Sequence, residues 1–225
     1  DQVTYQYNAR NLLESIGGGP GGHILTGARY LPSGQQERLD FGNGVRTRYD
    51  YDSRQRLSRL LTRHIAREDE LVHFAYDLDP VSNIEAIHDQ RPVDAVPLDH
   101  PRRNTQHFTY DSLYRLTRVQ YNRPNVASAN GGQIDYRYDR IANLLSQTSD
   151  LPQKEAGSPV ANLGEMGYGS AAGTFGRIGR QPHDPPGPHA LSRIQNPVSG
   201  ARDFDYDANG NMTTIDGMRC TWDFR

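Results

Sequence analysis

Phe204-Asp205-Tyr206-Asp207-Ala208-Asn209-Gly210-Asn211-Met212 is the stretch on which the fold turns. Phe204 and Tyr206 stand two residues apart, so in an extended chain both rings leave the same face of a strand. Asp207 then supplies a carboxylate able to accept backbone amides two residues on, and Asn209-Gly210 tolerate positive φ. The chain resumes at Asn211-Met212 as a return strand. The whole stretch reads as a β-hairpin with an acid-capped turn.

The same pattern recurs along the chain, which marks a repeat architecture. Its other copies are Tyr5-Gln6-Tyr7-Asn8, Tyr49-Asp50-Tyr51-Asp52, Phe74-Ala75-Tyr76-Asp77, Phe108-Thr109-Tyr110-Asp111 and Tyr136-Arg137-Tyr138-Asp139. A further copy, Cys220-Thr221-Trp222-Asp223, is cut off by the end of the chain, and Tyr30-Leu31-Pro32-Ser33-Gly34 reads as a degenerate one. Return strands open at Arg56-Leu57, Arg115-Leu116, Asn143-Leu144 and Asn211-Met212. Tyr to Arg or Asn is five positions in these four copies, but four from Tyr7 to Asn11 and seven from Tyr76 to Asn83. The two departures are expected inside the turn, where insertions are cheap. The structural residues of the repeat are then Tyr7, Tyr51, Asp52, Tyr76, Asp77, Tyr110, Asp111, Tyr138, Asp139, Tyr206, Asp207 and Trp222. The Arg or Asn is expected to bond back to the Asp or to turn carbonyls, closing each hairpin end.

An isolated hairpin is marginal in water, so the repeats are expected to lie side by side in a continuing antiparallel sheet. Composition agrees. Hydrophobic residues make up 35% of the 225, with 22 Gly, 14 Pro and 13 Tyr. Mean hydropathy is -0.81. Such a chain is poor in aliphatic mass and rich in turn formers and half-apolar rings, which disfavours a helical bundle. The expected fold is all-β, one repeat domain over residues 1–225, with loop insertions at about 16–29, 89–105 and 151–200.

The chemistry-bearing residues are dispersed. The formal charge is -2, with 25 basic and 27 acidic side chains interspersed, which leaves no single-sign field for a nucleic acid. The basic cluster at 54–63 and the pair Arg102 and Arg103 read as solvated strand faces and a loop. The eight His residues lack metal-ligand spacing, and Cys220 has no cysteine partner. The glycines at 17–22 lack the Lys-Ser or Lys-Thr of a phosphate loop, and no Gly-x-Ser-x-Gly elbow occurs. The repeated aspartates fall once per hairpin and so are spread along the sheet, not paired as a glycosidase needs. No apolar run reaches the length of a membrane span. No enzyme, cofactor or metal is expected. The start at Asp1 and the end in mid-pattern suggest an excised fragment.

These repeats resemble the bacterial RHS or YD-repeat family, which also includes the B and C components of insecticidal toxin complexes and the animal teneurins. Gly187-Pro188-His189-Ala190-Leu191 is similar to a Gly-Pro-His-Ala-Val stretch that precedes a late repeat in bacterial members, and 204–212 matches that repeat closely. The resemblance covers essentially the whole chain except the loops. It implies a sheet that spirals into a cocoon-like shell around a toxin or other polypeptide, in a secreted or cell-surface protein. Its implied partners are the remaining repeats and C-terminal cargo of the same parent, with secretion or toxin-complex subunits beside them. No catalytic residue is carried over. The alternative expectation is a cell-surface module binding carbohydrate or protein through exposed Tyr rows. Buried Tyr side chains favour the wall, and an exposed stripe favours the binding module.

Overall fold

The computed structural model describes residues 2–18, 22–98, 100, 102–121, 132–151, 161–169, 187–207 and 209–223. Among them every regular element is a β-strand. The first eight are β1 (Thr4–Tyr7), β2 (Leu13–Gly17), β3 (His23–Tyr30), β4 (Gln36–Phe41), β5 (Val45–Tyr51), β6 (Leu57–His64), β7 (Glu70–Leu78) and β8 (Ile84–Asp89). They are followed by β9 (Gln106–Tyr110), β10 (Leu116–Tyr121), β11 (Gly132–Tyr138), β12 (Leu144–Ser149), β13 (Gly164–Tyr168), β14 (Leu191–Asn196), β15 (Gly200–Tyr206), β16 (Met212–Ile215) and β17 (Met218–Arg219). Pairing is antiparallel and runs between sequence neighbours, the pattern of a meander of hairpins. The all-β hairpin expectation holds.

The chain divides into two compact units, Asp1–His107 and Phe108–Arg225, with the boundary inside β9. In the first unit the register sorts side chains by face. Thr47, Thr62 and Val72 form one row across β5, β6 and β7, and Tyr49, Leu60 and Phe74 form the next. Thr47 and Thr62 share a hydroxyl hydrogen bond of 2.9 Å, as directly opposed same-face side chains do. The opposite face carries Arg38, Arg48, Leu61 and His73 in one row. One face is thus aromatic and aliphatic, the other charged, as the alternating sequence requires.

The second unit follows the same rule. Val119 pairs with Ile134, and Met166 with Ile194, on one face. Arg118 pairs with Asp135, and Arg193 with Asp203, on the other. Among the described residues few apolar side chains are buried: Leu25, Ala86 and Val96 in the first unit, and Val119, Ile134 and Phe204 in the second. Most of the packing therefore consists of half-buried cross-strand pairs, each worth roughly 0.2–1 kcal/mol.

Two of the three expected insertions are more structured than their composition implies. The segment at about 16–29 holds the end of β2 and most of β3, because His23–Tyr30 pairs with β4 through Ala28 opposite Leu39. Gly19, Pro20 and Gly21 lie outside the described residues. The segment at about 151–200 contains β13 and β14, paired through Met166 and Ile194, while 152–160 and 170–186 lie outside the described residues. Of the third, 89–105, only Asp89 at the end of β8 is strand, and the described residues after it form an excursion knotted by charge. The fully covered Asp89 carboxylate accepts from Arg91 Nη2 at 2.6 Å and from the Asn104 N–H at 2.9 Å. Arg103, itself buried, donates to the Asp89 and Arg91 carbonyls at 2.8 Å and to the Val96 carbonyl.

Candidate functional site

Among the described residues seven tight turns share one backbone geometry: 8–12, 31–35, 52–56, 79–83, 111–115, 139–143 and 207–211. In each the first N–H donates to the fifth carbonyl, at 2.9–3.0 Å, and the fourth N–H donates to the first carbonyl, at 2.9–3.3 Å. The fourth residue is left-handed in every case: Asn11 (φ 57), Gly34 (φ 90), Gln55 (φ 61), Ser82 (φ 80), Tyr114 (φ 59), Ala142 (φ 70) and Gly210 (φ 85). This is a type I turn closed by a bulge, and the strand register shifts at the residue before it, as between Asp50 and Tyr51.

One carboxylate organises each of five turns. Oδ1 of Asp52 accepts the N–H of Arg54 and of Arg56, both at 2.9 Å, while Oδ2 accepts Arg56 Nε at 2.7 Å. Asp111 repeats this with Leu113 and Arg115 at 2.9 and 3.0 Å, and with Arg115 Nε at 2.7 Å. In Asp79, Asp139 and Asp207 the side-chain donor is an amide instead: Asn83 and Asn143 at 2.8 Å, Asn211 at 2.9 Å. The carboxyls sit below their ordinary range as a result. For Asp52 and Asp111 the largest cause is the backbone N–H of the fifth turn residue. For Asp207 it is the Asn211 amide. For Asp79 and Asp139 desolvation works upward, and the hydrogen bonds from Asn83 and Asn143 outweigh it.

The structure moves two of the expected repeat residues. Asp77 is not a turn residue: β7 continues through Leu78, and Asp79 takes the cap, while Asp77 faces His88 Nε2 at 2.7 Å. Tyr76 accordingly lies inside the strand, opposite Ile87, and Leu78 takes the position that Tyr51 holds. The insertion is in the strand and the turn keeps its length. In the first copy Asn8 caps the turn, accepting the N–H of Arg10 at 2.9 Å and of Leu12 at 3.1 Å. Asn11 is that turn's left-handed residue, so the fifth position belongs to Leu12 and the spacing from Tyr7 is regular after all.

The clasps also run sideways from turn to turn. Arg56 Nη1 donates to the Asp79 carbonyl at 2.8 Å, and Arg115 Nη1 donates to the Asp139 carbonyl at 2.9 Å. Asn143 gives its second amide hydrogen to the Pro188 carbonyl at 2.8 Å, while its Oδ1 lies 2.7 Å from His189 Nδ1. Arg115 also stacks its guanidinium 4.8 Å from the centre of the Tyr138 ring. Gln35 reaches the Gln55 carbonyl at 2.7 Å.

Tyrosines add a second lacing. Tyr51 Oη donates to the Gln36 carbonyl at 2.7 Å, Tyr30 Oη to the Leu13 carbonyl at 2.7 Å, and Tyr206 Oη to the Leu191 carbonyl at 2.8 Å. In each pair the acceptor is the first residue of the preceding return strand. Tyr51, Tyr76, Tyr110, Tyr138 and Tyr206 are half-buried, and burial pushes the phenols of Tyr51, Tyr76, Tyr138 and Tyr206 up. Tyr7 stays exposed on β1, and so does Trp222, whose Nε1 donates to the Met212 carbonyl at 2.7 Å. Sequence spacing identified these rings, but not the reach of their hydroxyls across a hairpin boundary. Among the described residues no three His, Cys, Asp or Glu side chains converge as a metal centre, and no helix is long and apolar enough to cross a membrane.

No known family profile matches the chain. It is 30% identical over 166 residues to the toxin subunit YenC1 of Yersinia entomophaga, which takes in 68% of this chain and 14% of that protein. Among solved structures it is similar to a crystal structure of TcdB2-TccC3-Cdc42, with TM-score 0.61, 21% identity, and coverage of 95% of this chain and 11% of the other. A Photorhabdus luminescens Tc holotoxin pore carrying a TccC3 variant gives TM-score 0.63, again at 21% identity with 95% and 11% coverage. The chain spans about a seventh of the length of the curated relative it matches.

Proposed function

The chain is a YD-repeat segment homologous to toxin-complex subunits, and from that premise we propose that it is a piece of wall: part of a shell that encloses and protects a toxin or other polypeptide carried by the same parent protein. The parent is secreted or displayed at the cell surface in this reading, and its partners are its remaining repeats, its C-terminal cargo and other toxin-complex subunits. The role is architectural and not catalytic.

The observation that carries the reading is the sideways lacing of the hairpins. Arg56 ties 52–56 to 79–83, Arg115 ties 111–115 to 139–143 and Asn143 ties 139–143 to Pro188, while Tyr30, Tyr51 and Tyr206 each bond to the preceding return strand. A binding module would keep its rings free, whereas here three phenol hydroxyls bond to protein carbonyls. A wall benefits from the same contacts, since each hairpin becomes stable only through its neighbours. Electron cryo-microscopy of the full-length parent tests this. A closed cavity lined by these hairpins with density inside supports containment, and an open sheet with the Tyr face in solvent would instead favour adhesion.

A further inference from the structure

On the charged face of the first unit, three arginine pairs stand directly opposite one another: Arg29 with Arg38, Arg38 with Arg48, and Arg46 with Arg63. Opposed like charges destabilise a sheet, so such a patch is at odds with stability unless an anion meets it. Arg38, Arg46, Arg48 and Arg63 surround, with Leu61, a cleft of about 260 Å³. The carboxylates in reach are too few. Asp40 accepts Arg46 Nε at 2.5 Å and lies 2.9 Å from Arg38 Nε, and Asp50 meets Arg48 Nε at 3.1 Å. The Arg38 contact is off the line of a hydrogen bond, which leaves that buried N–H unsatisfied. Glu70, which stands opposite Arg63 on β7, has its carboxylate 2.8 Å from His73 Nδ1, and among the described residues the Arg63 guanidinium has neither an ion-pair nor a hydrogen-bond partner.

We propose that this cleft binds an extended acidic peptide segment with carboxylates at alternate positions. Three features select that ligand. The donors are side-chain guanidinium forks, suited to planar carboxylates, whereas the strand N–H groups beneath are engaged in the ladder and offer no backbone nest for a phosphate. Asp40, held between Arg38 and Arg46, already shows the site taking a carboxylate. The Arg38–Arg48 row and the Arg46–Arg63 row lie two residues apart along the strands, about 6.8 Å, which is also the spacing of alternate residues in an extended peptide. Leu61 gives the aliphatic stems of such a peptide an apolar contact.

The test is fluorescence anisotropy with a labelled peptide of alternating Glu and Thr titrated with this chain, at low and at physiological ionic strength. Binding should weaken by about 10-fold or more in the double variant Arg48→Gln with Arg63→Gln, and stay unchanged in Arg67→Gln, an exposed arginine outside the cleft. The double substitution removes opposed like charges, so its melting temperature should hold or rise. Arg63→Lys keeps the charge and loses the fork, and a loss of about 3-fold or more in that variant supports bidentate recognition even if the double variant fails to fold. Equal binding of a peptide with its glutamates in one block, or affinity unchanged in the Arg63 variants, would overturn the proposal. So would pyrophosphate binding in the cleft while the peptide does not, which would make it a phosphate site.

Discussion

Asp52, Asp79, Asp111, Asp139 and Asp207 each satisfy two backbone amides and one side-chain donor, so their ionised form belongs to the folded state. Because their carboxyls are held below the ordinary value of 3.8, they contribute stability that is fully present above that value. That contribution is lost as pH falls through the lowered, folded-state value. Thermal melts taken downward from neutral pH should therefore show a loss of stability that sets in below the usual carboxylate range. Asp139→Asn should flatten that acid limb while lowering the neutral-pH melting temperature only modestly, because an amide oxygen caps the same turn at Asn8. An acid limb equally steep in the variant would remove Asp139 from the account. Gly210 carries the other residue-scale requirement. It sits at φ 85 with open space where a methyl group would stand, so Gly210→Ala should cost about 1 kcal/mol in chemical denaturation through backbone strain alone.

Hairpins were legible as elements because strand alternation, acid cap and return residue repeat at fixed spacing, and 204–212 states all three. What misled was the third copy, where Tyr76-Asp77-Leu78-Asp79-Pro80 offers two acids. The deciding signal is Pro80, which stands second in its turn just as Pro32 does in 31–35, where its fixed φ suits a type I turn. Glycines at 17–22 hid the strand that follows them, since composition marks turns without saying how soon pairing resumes. The lateral bonds were beyond sequence reach, because they depend on which hairpin lies beside which. The same holds for Arg103, read as a solvated loop residue, which the fold buries in the excursion between β8 and β9. Arg103→Ala should leave the fully covered Asp89 carboxylate and three carbonyls short of a donor, lowering stability by about 3 kcal/mol. Hydrogen exchange should speed up first in 89–105, and unchanged exchange there would mean the knot is not what orders the loop.

At the scale of the whole molecule, each unit presents one apolar face and one charged face and buries few side chains completely. Such a sheet gains little from a core and much from continuity, so its resistance to unfolding should rise with the number of hairpins laced in series. The proposed containment makes a kinetic demand. A polypeptide held behind the wall should be cut by protease no faster than the wall itself opens. In the full-length parent, digestion of the C-terminal region should accordingly be slow at neutral pH and accelerate at the acid pH where the turn carboxylates are protonated. A double variant lacking the clasps of Asp111 and Asp139 should move that acceleration to higher pH. Both rates are read from one time course, with an exposed engineered tag as the internal standard for protease activity. If the C-terminal region is cut as fast as the tag at neutral pH, the hairpins enclose nothing, and the adhesion reading gains.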